Sequence, residues 1–301
     1  MITGFDLCKN FDGLQALDHA GFTVETGSVY GLVGPNGSGK STLIRHIMGV
    51  FRQDSGDLYV DGDEVFDNVA VKQRMAYVPD EIYFTNGSTL GSMSKLYEGL
   101  YPRFDRERLN RLIAVFPELN ENLSFRKMSK GMQKQASAIL AIATRASILI
   151  LDEPMDGLDP VARHNIWKVI MDSVAEERTT VLVSSHNLRE LEDVCDHVGI
   201  MDHGRIIMER GLDELQDGFA KVTIAYQEEG DMPELGEGVE ILNHTASGRL
   251  HTLILSGERE LMETRIRETA PVFTEFMPLS LEEIFINELG GENDALRNII
   301  A

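Results

Sequence analysis

The chain carries a glycine-rich run, Gly34-Pro35-Asn36-Gly37-Ser38-Gly39-Lys40-Ser41-Thr42. Glycines let a backbone curl until successive N–H groups face one anion. Lys40 supplies a cation that reaches phosphate oxygens, and Ser41 a hydroxyl that ligates Mg²⁺. A second run, Ile148-Leu149-Ile150-Leu151-Asp152-Glu153-Pro154, ends an apolar stretch in two acids. Acids at the end of a buried strand are costly unless they meet a cation or a proton. Taken alone, this run also reads as a plain strand end. Beside the glycine run, Asp152 suits a Mg²⁺ shell, directly or through water, and Glu153 is placed to polarise an attacking water. The chemistry implied is binding of a nucleoside triphosphate and phosphoryl transfer to water, which needs positioning, charge neutralisation and an aligned nucleophile.

Those residues need elements to hold them. Val29-Tyr30-Gly31-Leu32-Val33 reads as a buried strand before the loop, and Leu43 to Val50 as a helix after it. Strand, glycine loop and helix make a phosphate-binding P-loop, with the helix dipole adding to the anion site. Ile148–Leu151 reads as a central parallel strand covered on both faces. A helix is expected over Val161–Glu176, then a strand at Thr180–Val183 and a helix from Leu188 to Cys195. Val198 to Met208 reads as two short strands joined at His203-Gly204. Upstream, Phe22–Glu25 and Asp57–Val60 alternate as strands do, with Asp61-Gly62 as a turn. Leu109, Leu112, Ile113 and Phe116 recur at helical spacing behind Asp105 as a cap, and Met132 to Thr144 reads as another helix. The alternation predicts an α/β fold with a mainly parallel core sheet, antiparallel N-terminal strands and ligands at the strand carboxyl ends. Near residue 212 the character shifts. Lys221–Tyr226 and Leu250–Leu255 read as strands, Gln227–Gly238 as an acidic loop and Glu260–Glu268 as a helix. We therefore expect a catalytic domain over 1–211 and a small α+β domain without a catalytic motif over 212–301.

Composition bounds the rest. The chain has 301 residues, 43% of them apolar, enough for a real core in one large domain or two smaller ones. Its two cysteines, Cys8 and Cys195, lie far apart, which predicts a reducing compartment and no disulfide framework. No apolar run is long enough to span a bilayer, and the N-terminus lacks a signal-peptide pattern. A net charge of −21 argues against wrapping nucleic acid or binding anionic lipid through the bulk surface.

A third segment, Met128-Ser129-Lys130-Gly131-Met132-Gln133, places Ser and Gly at a helix start, either as an anion site or as a simple N-cap by Ser129. Here the chain resembles the ABC transporter ATPases, whose signature usually reads Leu-Ser-Gly-Gly-Gln. Ser129 and Gly131 match it, Met128 is a conservative stand-in, and Lys130 and Met132 depart. Order and spacing carry the resemblance further. Gly157-Leu158-Asp159-Pro160 looks like the family's D-loop, and Ser184-Ser185-His186 looks like its switch histidine. Phe11 occupies the position of the aromatic that stacks on adenine. By themselves, His186 would read as structural and Phe11 as core. The resemblance covers about residues 1–215. It implies the P-loop NTPase fold of an ABC ATPase, with an inserted helical subdomain over about 81–145 that docks a membrane partner.

The resemblance also implies ATP and Mg²⁺ as ligands, and His186 as a hydrogen-bond partner of the γ-phosphate that steadies Glu153 and water. Two protomers, a homodimer or this chain with a second ABC ATPase, would share two ATP molecules, with Ser129 and Gly131 of each facing the phosphate held by the other. They would drive a separately encoded integral membrane permease from the cytoplasmic face of the membrane, with no nucleic acid involved. Leu100-Tyr101-Pro102-Arg103-Phe104-Asp105 and the Ser-Lys-Gly-Met segment resemble a Gram-positive export branch tied to peptide and antibiotic efflux. Pro278–Phe285 resembles a closing segment of export-type members, read as a docked amphipathic helix rather than a site. One departure stands out. Asp80, in Tyr77-Val78-Pro79-Asp80-Glu81, takes the place of the family's Gln. It either ligates Mg²⁺, which would offset its charge beside a triphosphate, or belongs to a segment that only couples to the membrane partner. Two other functions stay in view. A soluble ABC-type ATPase acting on ribosomes or nucleic acid fits poorly with a single cassette and an acidic chain. A non-hydrolytic regulatory subunit fits poorly with Glu153 and His186.

Overall fold

A computed structural model describes residues 1–228 and 235–288. The chain divides into two compact units. One is Met1–His186 with Val194–Glu209, and the other is Asn187–Asp193 with the chain from Arg210 on.

The first unit is built on a six-stranded sheet in the order Arg205–Gly211, His197–Asp202, Val29–Val33, Thr180–Ser185, Ile148–Asp152, Met75–Val78. Its pairings from His197–Asp202 to Met75–Val78 are parallel. Every residue of Val29–Val33, Ile148–Asp152 and Thr180–Ser185 is buried, as continuous apolar runs covered on both faces must be. The register sets Val33 beside Ser185, Asp152 beside Ser184 and Val78 beside Leu151. The residues with chemistry therefore leave one edge of the sheet together: Gly34 onward, Asp152 and Glu153, Ser184 to His186, and Asp80.

A second sheet of the same unit runs Leu14–Val24, Ile2–Phe11, Ser55–Val60, Asp63–Glu64 and is antiparallel throughout. Leu7, Leu17 and Phe22 from it share a core with Tyr30, Leu32, Ile44 and Ile47. Burying each such side chain contributes roughly 1.5–3 kcal/mol, so the P-loop strand and helix are anchored from below. Between Met75–Val78 and Ile148–Asp152 lie the helices Leu90–Leu100, Arg106–Val115 and Lys130–Ala143, filling the helical region expected over 81–145. Thr89 and Ser92 cap the first reciprocally, and Asp105 caps the second by accepting from the Arg108 N–H at 2.8 Å.

The second unit has an antiparallel sheet in the order Val239–Ser247, Leu250–Gly257, Phe219–Ala225, Phe273–Met277. Met262 and Ile266 of the helix Arg259–Glu268 close its core over Val222, Ile224, Leu253 and Leu255. The C-terminal segment Pro278–Phe285 leads into a helix, Leu281–Glu288. Of the acidic loop Gln227–Gly238, residues 229–234 lie outside the described residues. No described helix is long and apolar enough to cross a membrane.

Three departures from the sequence reading have a clear physical cause. Leu188–Cys195 is not a helix beyond one tight turn at Leu188–Glu190. The Glu192 carboxylate accepts instead from the Leu281 N–H at 3.1 Å, and the Arg189 guanidinium reaches Glu282, so tertiary partners override a helical pattern. Val239–Ser247 and Phe273–Met277 are strands the pattern did not reveal. Both are edge strands with mostly exposed or half-exposed residues, so neither carries an alternating apolar signature.

Candidate active site

The glycine loop starts where Val33 ends its strand, and the Gly34 N–H donates to the Ser185 carbonyl at 3.4 Å. A Cβ at Gly34 would collide with the Met201 carbonyl and with Ser38, so glycine is required there. Gly39 has φ +113°, which also favours glycine, and leads into the helix Lys40–Ile47. That helix has no side-chain cap and no acid in its first turn. Its first N–H groups and its positive dipole end are left for an anion. The Ser38 hydroxyl is buried without a partner, as expected of a group that waits for a phosphate oxygen. Lys40 is only 5% exposed. Its ammonium donates to the carbonyls of Gly34 at 2.6 Å and Pro35 at 3.2 Å, and lies 3.5 Å from Glu153 Oε1. Burial pushes the Lys40 pKa below its ordinary value, and the pull of Glu153 and Asp152 offsets this only in part. A polyanion in the loop would restore what burial takes away.

Asp152 is buried, and hydroxyls converge on its carboxylate. Ser184 Oγ donates to Oδ1 at 2.6 Å, Ser41 Oγ to Oδ1 at 3.2 Å, and the Tyr77 phenol to Oδ2 at 3.5 Å. Burial and then the Asp152 charge raise the Tyr77 pKa well above the ordinary phenol range, so Tyr77 stays a donor. Carboxylate and hydroxyl oxygens with no sulfur or imidazole suit a hard cation, and Ser41 with Asp152 fits Mg²⁺.

Glu153 follows with φ +46°, in the left-handed region that a side chain disfavours. The conformation is held on several sides. Its N–H donates to Ser184 Oγ at 3.1 Å, and its carbonyl accepts from the Lys134 ammonium at 2.6 Å. Its Oε2 accepts from the His186 N–H at 3.3 Å and lies 2.9 Å from His186 Nδ1. The carboxylate thus sits between a lysine and a histidine at the mouth of the glycine loop.

The remaining expected residues form a second group. Ser129 caps the helix Lys130–Ala143 by accepting from the Met132 N–H at 3.2 Å, so the simple capping role is real. A Cβ at Gly131 would stand 3.3 Å from Leu158 and 3.5 Å from the Gly157 carbonyl, so this helix start packs on the 157–159 turn. Asp159 caps Pro160–Glu177 through the N–H groups of Val161 and Ala162, both at 3.0 Å. Phe11 packs edge-on against Phe51, with centroids 5.2 Å apart, and has the Lys9 ammonium 5.4 Å from its ring centre. Asp80 is half exposed and pairs with Lys134 at 3.3 Å.

Sequence reasoning overlooked three of these residues. Ser184 stood within a recognised segment, but its bridge from Asp152 to Glu153 depends on cross-strand register. Tyr77 likewise acts from a neighbouring strand. Lys134 gave no signal, since Lys130, Gln133 and Ser137 beside it make it read as an ordinary solvated lysine.

Comparison with known proteins agrees with the site. An ABC transporter family model matches residues 17–156. The ABC transporter ATP-binding protein YtrB of Bacillus subtilis is 32% identical over 292 residues, covering 97% of this chain and 99% of that one. The bacitracin transport ATP-binding protein BcrA of Bacillus licheniformis is 29% identical over 216 residues, covering 70% of each chain. A solved ATP-binding subunit of an ABC transporter superposes with a TM-score of 0.67 at 27% identity, covering 72% of this chain and 92% of that one. Loop, acids, histidine and likeness along nearly the whole length agree: the chain belongs to the ATP-binding proteins of ABC transporters, ATPases that power transport.

Proposed function

We propose that Glu153 is the general base of ATP hydrolysis and that Lys40 and His186 set when it can act. The observation that carries this reading is the placement of one carboxylate between the Lys40 ammonium and the His186 ring. Phosphates that draw Lys40 away free Glu153 Oε1 to accept a proton from water. His186 holds Glu153 through Nδ1 and has Nε2 left for the γ-phosphate. Mg²⁺, held by Ser41 and Asp152, supplies charge neutralisation at the phosphate oxygens when bound. Asp80 joins that shell only if its carboxylate leaves Lys134. Replacing it with Gln and titrating Mg²⁺ in an ATPase assay tests this, and an unchanged Mg²⁺ requirement counts against ligation. Phe11 stacks on the adenine in this reading.

Each chain has one glycine loop and one signature segment. Two protomers, alike or different, therefore complete two sites head to tail, with Ser129, Gly131 and Asp159 serving the partner's nucleotide. Closing and opening this pair drives a separately encoded permease from the cytoplasmic face of the membrane. The likeness to BcrA and the Leu100–Asp105 segment favour export of peptides or antibiotics. The decisive experiment is Glu153→Gln. We expect it to bind ATP, dimerise stably and lose hydrolysis, whereas near-normal turnover would sink the general-base assignment.

A further inference from the structure

Lys134 lies on the second turn of the helix that Ser129 caps, and only 7% of its surface is exposed. Burying an ammonium is costly unless it is paired and hydrogen-bonded. Its two partners account for that burial. The carbonyl oxygen of Glu153 is 2.6 Å away and the carboxylate of Asp80 is 3.3 Å away. The first partner is informative, because Glu153 is held at φ +46°. A residue with a side chain keeps a left-handed backbone only where its surroundings over-determine it. The N–H side of Glu153 is tied by Ser184 and the carbonyl side by Lys134. Release of either tie would let the peptide turn, and the carboxylate would swing with it out of reach of Lys40 and His186.

We propose that Lys134 is a positioning residue for Glu153 through its hydrogen bond to the Glu153 carbonyl, and that Asp80 offsets the charge of its buried ammonium. Asp80 then has a role at rest that needs no metal. Its negative charge beside a triphosphate site is neutralised by a lysine of its own chain. The same helix begins at Ser129 and Gly131. Whatever seats those residues also sets Lys134, and through it the backbone of the base. A 560 Å³ cavity lined by Asp80, Tyr83, Lys130, Lys134 and Gly157 lies beside the pair.

The proposal rests on Glu153 being the base, so both are tested in one series on the full chain. The readouts are kcat, KM for ATP, the Kd of a fluorescent ATP analogue and the unfolding midpoint. Lys134→Met should lower kcat by about tenfold or more and leave the nucleotide Kd within about threefold. Lys134→Gln keeps a donor for the Glu153 carbonyl without the charge, and should return kcat to within about threefold of the parent. A residue that merely stabilises the fold would not separate kcat from Kd, and would not be rescued by the neutral donor. If Lys134→Met does not fold, Lys134→Gln decides alone: a folded variant that loses about tenfold or more in kcat overturns the proposal. Lys134→Met with kcat within about twofold of the parent also overturns it, as does a parallel loss of kcat and Kd. Inactive Glu153→Gln beside normal Lys134→Met removes only the positioning role, whereas active Glu153→Gln removes both readings.

Discussion

Ser184 has one hydroxyl and two obligations: it donates to the Asp152 carboxylate and accepts from the Glu153 N–H, with none of its surface exposed. Alanine there would leave a buried carboxylate short of one donor and a strained peptide short of its acceptor. We expect Ser184→Ala to lose about 1–3 kcal/mol of stability, the usual cost of orphaning a buried polar partner. The urea midpoint measures that loss. ATPase turnover should fall as well, because Asp152 and Glu153 are loosened together. A variant with parental midpoint and parental kcat would contradict the bridging role. The contrast with Asp152 and Glu153 shows what one strand can and cannot announce. Two acids ending an apolar run are visible in the sequence, because their cost follows from neighbours along the chain. Ser184 acts through the register Asp152↔Ser184, a fact of two strands brought side by side.

At the scale of elements, the helix Lys40–Ile47 joins function to stability through His46. The ring is 1% exposed, and its Nδ1 lies 2.7 Å from the Thr42 carbonyl one turn earlier. Burial first, and Lys9 to a lesser degree, hold its pKa below the ordinary 6.5, against the opposing pulls of the Thr42 and Arg52 backbone and of the Asp54 charge. Between that lowered value and 6.5 the unfolded chain binds a proton that the folded chain refuses. Stability is therefore greatest above this window and is lost as pH falls through it, with a slope of at most about 1.4 kcal/mol per pH unit for one group. We expect urea midpoints at about pH 7.5 and about pH 5.5 to diverge more in the parent than in His46→Leu, which has no ring to protonate. Equal divergence would assign the acid sensitivity to other groups. Apolar spacing exposed the helix behind Asp105, which buries Leu109 and Leu112 on one face, whereas the glycine loop announced Lys40–Ile47. Apolar spacing failed at Leu188–Cys195, where it is present but Glu192 and Arg189 are claimed by Leu281 and Glu282.

That failure has its full consequence at the scale of the whole molecule. A change of composition near residue 212 reads as a boundary, and a chain cut there should carry every catalytic motif. Compactness sorts the residues differently. Asn187–Asp193 groups with the unit that begins again at Arg210, although it is joined by one peptide bond to His186. Leu188 and Leu191 are 0% and 1% exposed, and the turn they flank is tied to Leu281 and Glu282 at the start of the C-terminal helix. Deleting the chain from 210 on would remove those partners. The turn would lose its ion pair to Glu282 and its hydrogen bond from Leu281, at the segment that follows the histidine beside Glu153. We expect the truncated chain to bind ATP, because Gly34–Ser41 and its core lie wholly in the first unit. It should hydrolyse ATP more slowly than the full chain and unfold at lower urea. Leu188→Ala in the full chain is the milder form of the same test, with an expected loss of about 2–5 kcal/mol. If truncation leaves kcat and the urea midpoint unchanged, Asn187–Asp193 holds His186 without help, and the appended domain has no hold on the histidine through this segment.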